Sequence, residues 1–122
     1  MVPEQPDRQA VHELSNKGMI SGTTALVGLL GQPVSHSLSP VMQNAALKAM
    51  GLNWSFLALP CSADDLATVL KGMEAVGCRG LNVTIPHKQA VSQLCEELSP
   101  LAQRLGAVNT LTPLPNGGWH GH

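Results

Sequence analysis

Aromatic side chains are nearly missing from this sequence: its 122 residues include no Tyr, one Phe and two Trp. That scarcity excludes a platform on which nucleic-acid bases stack and a protein interface built on aromatic anchors. Charge of one sign is missing as well. The formal net charge is −1, charged residues make up 12% of the chain, and no Lys/Arg cluster stands out, which argues against a nucleic-acid stripe and against an anionic-membrane surface. Small molecules are the expected partners, with no nucleic acid and no membrane. Cys61, Cys78 and Cys95 are odd in number and widely spaced, without a Cys-x-x-Cys pair or a histidine at zinc-finger spacing, so reduced core thiols are expected. His120 and His122 have no cysteine or carboxylate ligands near them in sequence, and no metal site is expected. Neither a Walker pattern nor a Gly-x-Gly-x-x-Gly turn occurs, so nothing in the chain reads as a nucleotide cradle.

Before Ser21 there is no apolar stretch of signal-peptide length, and the acids are too many for an organelle transit peptide, so a cytoplasmic location is expected. Residues 1–20 read as a poorly ordered extension, and sequence alone does not choose between Met1 and Met19 as the start. A chain of this length buries one core, so residues 21–122 are expected to form one small domain.

What is present is an alternation of strand and helix patterns. Strands are expected near Thr24–Leu30, Asn53–Leu59, Leu81–Ile85 and Ala107–Leu111, with a last one after the turn at Pro115–Gly118. Helices are expected near Pro40–Met50, Ala63–Val76, His87–Glu97 and Pro100–Leu105. Ser62 is the expected cap of the second helix, which carries Leu66, Val69, Leu70 and Met73 as its apolar stripe and is closed by Gly77. The rhythm predicts an α/β fold of three layers: a largely parallel sheet, helices on both faces, and an antiparallel strand near the C-terminal end where Asn116-Gly117 marks a hairpin.

Three segments carry polar groups where a fold alone does not ask for them. In Gly80–Lys88, strand alternation places Asn82 and Thr84 on one face, about 7 Å apart, and Leu81, Val83 and Ile85 on the other. Pro86 ends that strand, and Lys88 falls near a helix N-terminus, where the macrodipole opposes a cation unless a carboxylate or ligand uses it. In Gly31–Pro40, Ser39 is placed as N-cap with Pro40 at the first helical position, and Ser37, two residues earlier, can point the same way. Two hydroxyls and a helix start suit a carboxylate. The third segment, Gly106–Leu111, is a short strand carrying one amide, Asn109. Each has a plain alternative: solvent-facing strand residues, a solvated lysine, a cap and turn serine pair, an edge asparagine.

Together and in order, these segments resemble the shikimate dehydrogenase family, whose substrate domain carries Gly-x-Pro-x-x-His-Ser-x-Ser-Pro, Asn-Val-Thr-x-Pro-x-Lys and Gly-Ala-Val-Asn-Thr. The match runs from Thr24 to His122. The resemblance implies that Ser37 and Ser39 bind the substrate carboxylate, that Asn82, Thr84 and Asn109 bind ring hydroxyls, and that Lys88 is the catalytic lysine and touches substrate. It further implies reduction of 3-dehydroshikimate to shikimate with NADP, in aromatic amino acid biosynthesis, and leaves room for a homodimer. Two departures stand out. Gln43-Asn44 occupies a place where the family often has histidine before asparagine, for which a packing change is expected. The aspartate that pairs with the lysine in the family's Asn-Thr-Asp, and the NADP-binding domain, are absent from this chain, so the chain by itself is expected to be inactive. The alternatives are a non-catalytic module for a hydroxylated cyclic carboxylic acid and a quinate/shikimate dehydrogenase.

Overall fold

The computed structural model describes residues 7–10 and 19–122; most of the segment expected as a poorly ordered extension, residues 1–20, lies outside the described residues. The apolar run Ala25–Gly31 forms strand β1, followed by helix α1 (Ser39–Ala49), strand β2 (Trp54–Pro60), a 3-10 turn (Ala63–Asp65) leading into helix α2 (Leu66–Ala75), and strand β3 (Gly80–Val83). Helix α3 (Lys88–Ser92), strand β4 (Glu97–Leu98), helix α4 (Pro100–Leu105) and strands β5 (Thr110–Pro113) and β6 (Trp119–Gly121) complete the order. The strands make one six-stranded sheet in the order β2-β1-β3-β5-β6-β4. β1 pairs in parallel with both β2 and β3, β5 runs antiparallel to β3 and β6, and β4 pairs in parallel with β6. The α/β class and the antiparallel strands near the C-terminal end agree with the sequence pattern.

The layers follow from handedness. The connection from β1 goes to one side of it and the connection from β2 returns to the other, so right-handed crossovers put α1 and α2 on opposite faces. Burial agrees. Val27, Leu29 and Phe56 pack with Leu47 of α1 in the smaller cluster, while Leu30, Leu81 and Val83 pack with Leu66 and Leu70 of α2 in the larger one. Register makes the sorting exact: Val27 lies beside Phe56, and Leu30 beside Val83, so same-face neighbours share a cluster. Each fully buried leucine or valine contributes about 1.5–3 kcal/mol relative to leaving it exposed, and the larger cluster holds most of them.

Four expectations are corrected. Ile85, expected on the strand face shared with Leu81 and Val83, lies beyond the strand and is 69% exposed, because the strand ends at Val83. The helix expected over His87–Glu97 spans only Lys88–Ser92, because the chain leaves it to reach the sheet edge: Glu96 N donates to Trp119 O (3.0 Å) and Glu97–Leu98 become β4. The strand expected from Ala107 begins at Thr110, since Gly106 closes α4 at φ 62, a left-handed conformation that glycine adopts without a Cβ penalty. Ser62 occupies the cap position before the 3-10 turn, but its hydroxyl donates to the Asp65 carboxylate (3.0 Å) instead of accepting a backbone N–H. Gly77 does follow the end of α2, and the hairpin forms, with Leu114 N donating to Gly118 O across the turn.

Candidate functional site

β1, β2 and β3 are parallel, so their carboxyl ends share one rim of the sheet, and at β1 successive connections leave in opposite directions. Ligands of open α/β sheets bind outside the carboxyl ends of the strands at such a reversal. Backbone bonds draw this rim tight: Thr84 N donates to Leu30 O (2.9 Å), Gln32 N to Ile85 O (3.2 Å) and Cys61 N to Gly31 O (3.1 Å). Glycine is required at position 31, where a Cβ would overlap Thr84 Cγ2 and stand 2.7 Å from Val34 Cγ1. The loop after β1 thus lies directly against Thr84. From the other side, Val83 N donates to Asn109 O (2.7 Å) and Val108 N to Lys88 O (2.9 Å), which brings Asn109 and Lys88 to the same rim.

Ser37 and Ser39 sit where the β1 loop enters α1, but their local roles differ from the expectation. Leu38 is already in the right-handed helical region (φ −87, ψ −3) and holds the cap position, so Ser39 lies inside the first turn with Pro40 after it. Met42 N closes that turn on Leu38 O (3.1 Å). The orphan N–H of Ser39 is satisfied by Ser37 Oγ at 3.1 Å, so Ser37 does the work assigned to Ser39. The Ser37 hydroxyl still has its own hydrogen to donate. No acidic side chain stands in the first turn of α1, which leaves the helix start compatible with an anion.

Asn82 stands in β3 beside Leu29 on one side and Thr110 on the other, on the sheet face that α1 covers in part. With Val27, Gln43, Leu47, Phe56 and Thr110 it helps line a cleft of about 350 Å³ between α1 and β3. Of the six expected site residues only Asn82 lines that cleft, whereas the backbone bonds bring Thr84, Lys88 and Asn109 to the strand ends against the start of the loop that carries Ser37 and Ser39. Gln43, exposed on α1, faces the cleft, whereas Asn44 turns inward: its side chain donates to Phe56 O (2.9 Å) and accepts from Phe56 N (2.8 Å), pinning α1 to β2. The sequence signal for that pin was a polar residue three positions before Leu47 on the inward stripe.

Lys88 opens α3, a helix of five residues whose dipole opposes the ammonium only weakly. It is half-buried, and no carboxylate among the described residues lies within ion-pair distance of it. Asn82, Thr84, Lys88 and Asn109 likewise have no side-chain hydrogen bond within the described residues, nor does the Ser39 hydroxyl. A carboxylate and several hydroxyls presented to this rim would meet hydroxyl and amide donors, one cation and amide acceptors. At Cys61, just after β2, burial first, and the Asp65 carboxylate second, push the thiol above its usual range. His87, which the sequence marked only as a helix start, is 1% exposed with Nε2 2.5 Å from Cys61 O. No cluster of three or more metal-ligating side chains exists among the described residues, and no helix there is long and apolar enough to cross a membrane.

The family model described as shikimate dehydrogenase substrate binding domain matches residues 29–111. The NADP(+)-dependent shikimate dehydrogenase of a Synechococcus strain is 54% identical over 104 residues, which is 85% of this chain and 36% of that protein. Among solved structures, a shikimate dehydrogenase in complex with NADP+ superposes with a TM-score of 0.81 at 43% identity, over 84% of this chain and 36% of the other. Shikimate 5-dehydrogenase from Listeria monocytogenes, in complex with shikimate and NAD, gives 0.81 at 40% identity, over 84% and 35%. The chain therefore spans about a third of the length of the relatives it matches. With its three motifs on one rim of a sheet of this topology, the chain belongs to the shikimate dehydrogenase substrate-binding domain family.

Proposed function

We propose that this chain is the substrate-binding, lysine-bearing part of an NADP-dependent shikimate dehydrogenase that interconverts 3-dehydroshikimate and shikimate. The reading is supported by the backbone bonds that join the segments carrying these residues, Ser37, Ser39, Asn82, Thr84, Lys88 and Asn109, at one end of the sheet, and by the side chains of Ser39, Asn82, Thr84, Lys88 and Asn109, which have no hydrogen bond among the described residues. Unpaired polar groups are disfavoured unless water or a ligand completes them. Membership of the family and relatives named as NADP(+) enzymes support the choice of ligand.

In this reading the two serine hydroxyls and the start of α1 hold the substrate carboxylate. Asn82, Thr84 and Asn109 orient the ring through its hydroxyls, an effect that proximity makes worth several kcal/mol. The Lys88 ammonium faces the oxygen of the reacting carbon, donates a proton to it as the carbonyl becomes an alcohol, and holds back its negative charge in the transition state. The residues of this chain do not fit a dinucleotide: β1 runs into Gly31-Gln32-Pro33, and no glycine-rich turn leads to a helix. NADP is accordingly assigned to a domain outside this chain.

A non-catalytic module for a hydroxylated cyclic acid is the second reading, favoured by the absence of a carboxylate beside Lys88 among the described residues. One experiment separates the two. The 122-residue chain and a chimera that joins it to the remainder of the Synechococcus relative are assayed with NADP+ and shikimate. The proposal expects no turnover from the chain and shikimate oxidation by the chimera. Turnover by the chain alone, or a folded chimera without activity, contradicts it.

A further inference from the structure

The C-terminal ends of β1, β2 and β3 are joined by a closed circuit of hydrogen bonds. Cys61 N donates to Gly31 O (3.1 Å), Thr84 N to Leu30 O (2.9 Å) and His87 N to Thr84 O (3.0 Å). The last link, between the end of β2 and the segment after β3, is the His87 ring, with Nε2 2.5 Å from Cys61 O. It is the one side-chain link in a circuit otherwise made of backbone. A carbonyl oxygen only accepts, so Nε2 carries the hydrogen and donates it. The ring is 1% exposed, and its Nδ1 is buried without a hydrogen-bond partner among the described residues. An apolar ring would fill that space with no nitrogen left unpaired. What the imidazole adds at this place is therefore the N–H, not the packing.

The link has a target. His87 precedes Lys88 and holds the cap position of α3, and Val91 N donates to His87 O (2.9 Å). Beyond it, Lys88 O accepts from Val108 N (2.9 Å), which fixes the lysine backbone toward Asn109. The lysine is thus anchored from two sides, by His87 toward β2 and by Val108 toward β5. Thr84 and Ile85 stay tied to the β1 loop through Leu30 O and Gln32 N, so removing the first anchor loosens His87 and Lys88.

We infer that His87 is a positioning residue of the site: its Nε2–H, bound to Cys61 O, sets where Lys88 stands relative to the β1 loop that carries Ser37 and Ser39. The inference rests on the functional reading given above. Small misplacement of a reacting group lowers turnover more than affinity.

The test uses the chimera with the Synechococcus relative, carrying His87→Phe or His87→Gln. Phenylalanine keeps the bulk without the N–H; the glutamine amide places an N–H near the same carbonyl. His87→Phe is expected to melt within about 3 °C of wild type while kcat falls about tenfold or more and KM changes less. His87→Gln is expected to recover most of kcat. Wild-type kcat and KM in His87→Phe overturn the inference, and so does an equal loss in both variants that tracks a fall in melting temperature. Should His87→Phe not fold, long-range proton–nitrogen correlations of wild-type His87 decide: the Nε2–H tautomer supports the clamp, and the Nδ1–H tautomer overturns it. An inactive wild-type chimera contradicts the functional reading and takes this inference with it, whereas an active one with an unaffected His87→Phe contradicts this inference alone.

Discussion

Two polar regions of this molecule use the same kinds of side chain in opposite ways. On the side of the sheet packed by α2, α3 and α4, polar atoms close on the protein itself. Trp119 Nε1 donates to Leu70 O (3.0 Å), Ser99 Oγ caps α4 by accepting from Ala102 N (3.1 Å), and Ser92 Oγ donates to Gln89 O (2.5 Å), with Gly106 O also within reach (3.2 Å). Glu74 accepts from Gly118 N and ties α2 to the hairpin. At the strand-end rim the side chains of Ser39, Asn82, Thr84, Lys88 and Asn109 close on nothing within the described residues. The first region spends its polar groups on the fold, and the second, in the proposed function, leaves them to a ligand. A residue's type does not tell which use it serves; its neighbours do, as Ser99 and Ser39 show.

The largest effect that sharpens this contrast belongs to Lys88. In the chimera, Lys88→Ala is expected to lower kcat ~10²–10⁴-fold while KM moves little, because in the proposed function the ammonium acts most on charge that develops in the transition state. Steady-state kinetics check it, with circular dichroism to confirm folding. A raised KM with unchanged kcat would make the lysine a clamp only.

Next comes the closed side. Trp119 is buried and satisfied, and Trp119→Ala is expected to cost about 3–5 kcal/mol of stability in urea unfolding. A smaller cost would mean that the hairpin is not integral to the core.

Three serines then divide the regions. Ser39→Ala is expected to weaken shikimate binding by about 1.5–3 kcal/mol with little change in stability. Ser99→Ala is expected to cost about 1 kcal/mol of stability and leave binding alone. Ser37→Ala is expected to do both, since its oxygen accepts from Ser39 N and its hydrogen is free for the carboxylate. Calorimetry and thermal melts on the same preparations read both quantities. Wild-type binding in Ser37→Ala and Ser39→Ala would place the carboxylate elsewhere.

The smallest effect is a pH dependence at Cys95 on the closed side. Burial, and secondarily Glu96, push the Cys95 thiol up to about 11 from an ordinary 9.0. The folded thiol then keeps its proton where the unfolded one loses it, so the folded state binds more protons and stability falls as pH rises from 9.0 toward about 11. Below that window Cys95 contributes no slope. Melting temperatures of wild type and Cys95→Ala are expected to converge in slope below pH 9 and differ above it.

Much of this architecture is legible in sequence because α1, α2, β1 and β2 are long enough for periodicity to speak. The start of α1 misled by one residue because Leu38, a poor cap by type, adopts helical angles and Ser37 supplies the acceptor. β4 was invisible: a two-residue strand has no period, and only its pairing with β6 defines it. The same pairing cut short α3, whose sequence favours a longer helix. At the rim, the polar residues announced themselves by sitting at strand ends beside helix starts. His87 did not, since its ring contact is with Cys61, distant in sequence, and no local pattern encodes it.

The central claim is that the rim, and not the closed side or the cleft beside α1, receives the substrate. Titrating the isotope-labelled 122-residue chain with shikimate tests it most directly. The account predicts saturable shifts at the amides of Ser37, Ser39, Thr84 and Lys88 and at the side-chain amides of Asn82 and Asn109, with Ser92, Ser99 and the Trp119 indole unmoved. Shifts confined to the closed side or to Gln43 and Leu47 in the cleft, or none at saturating shikimate, would contradict it.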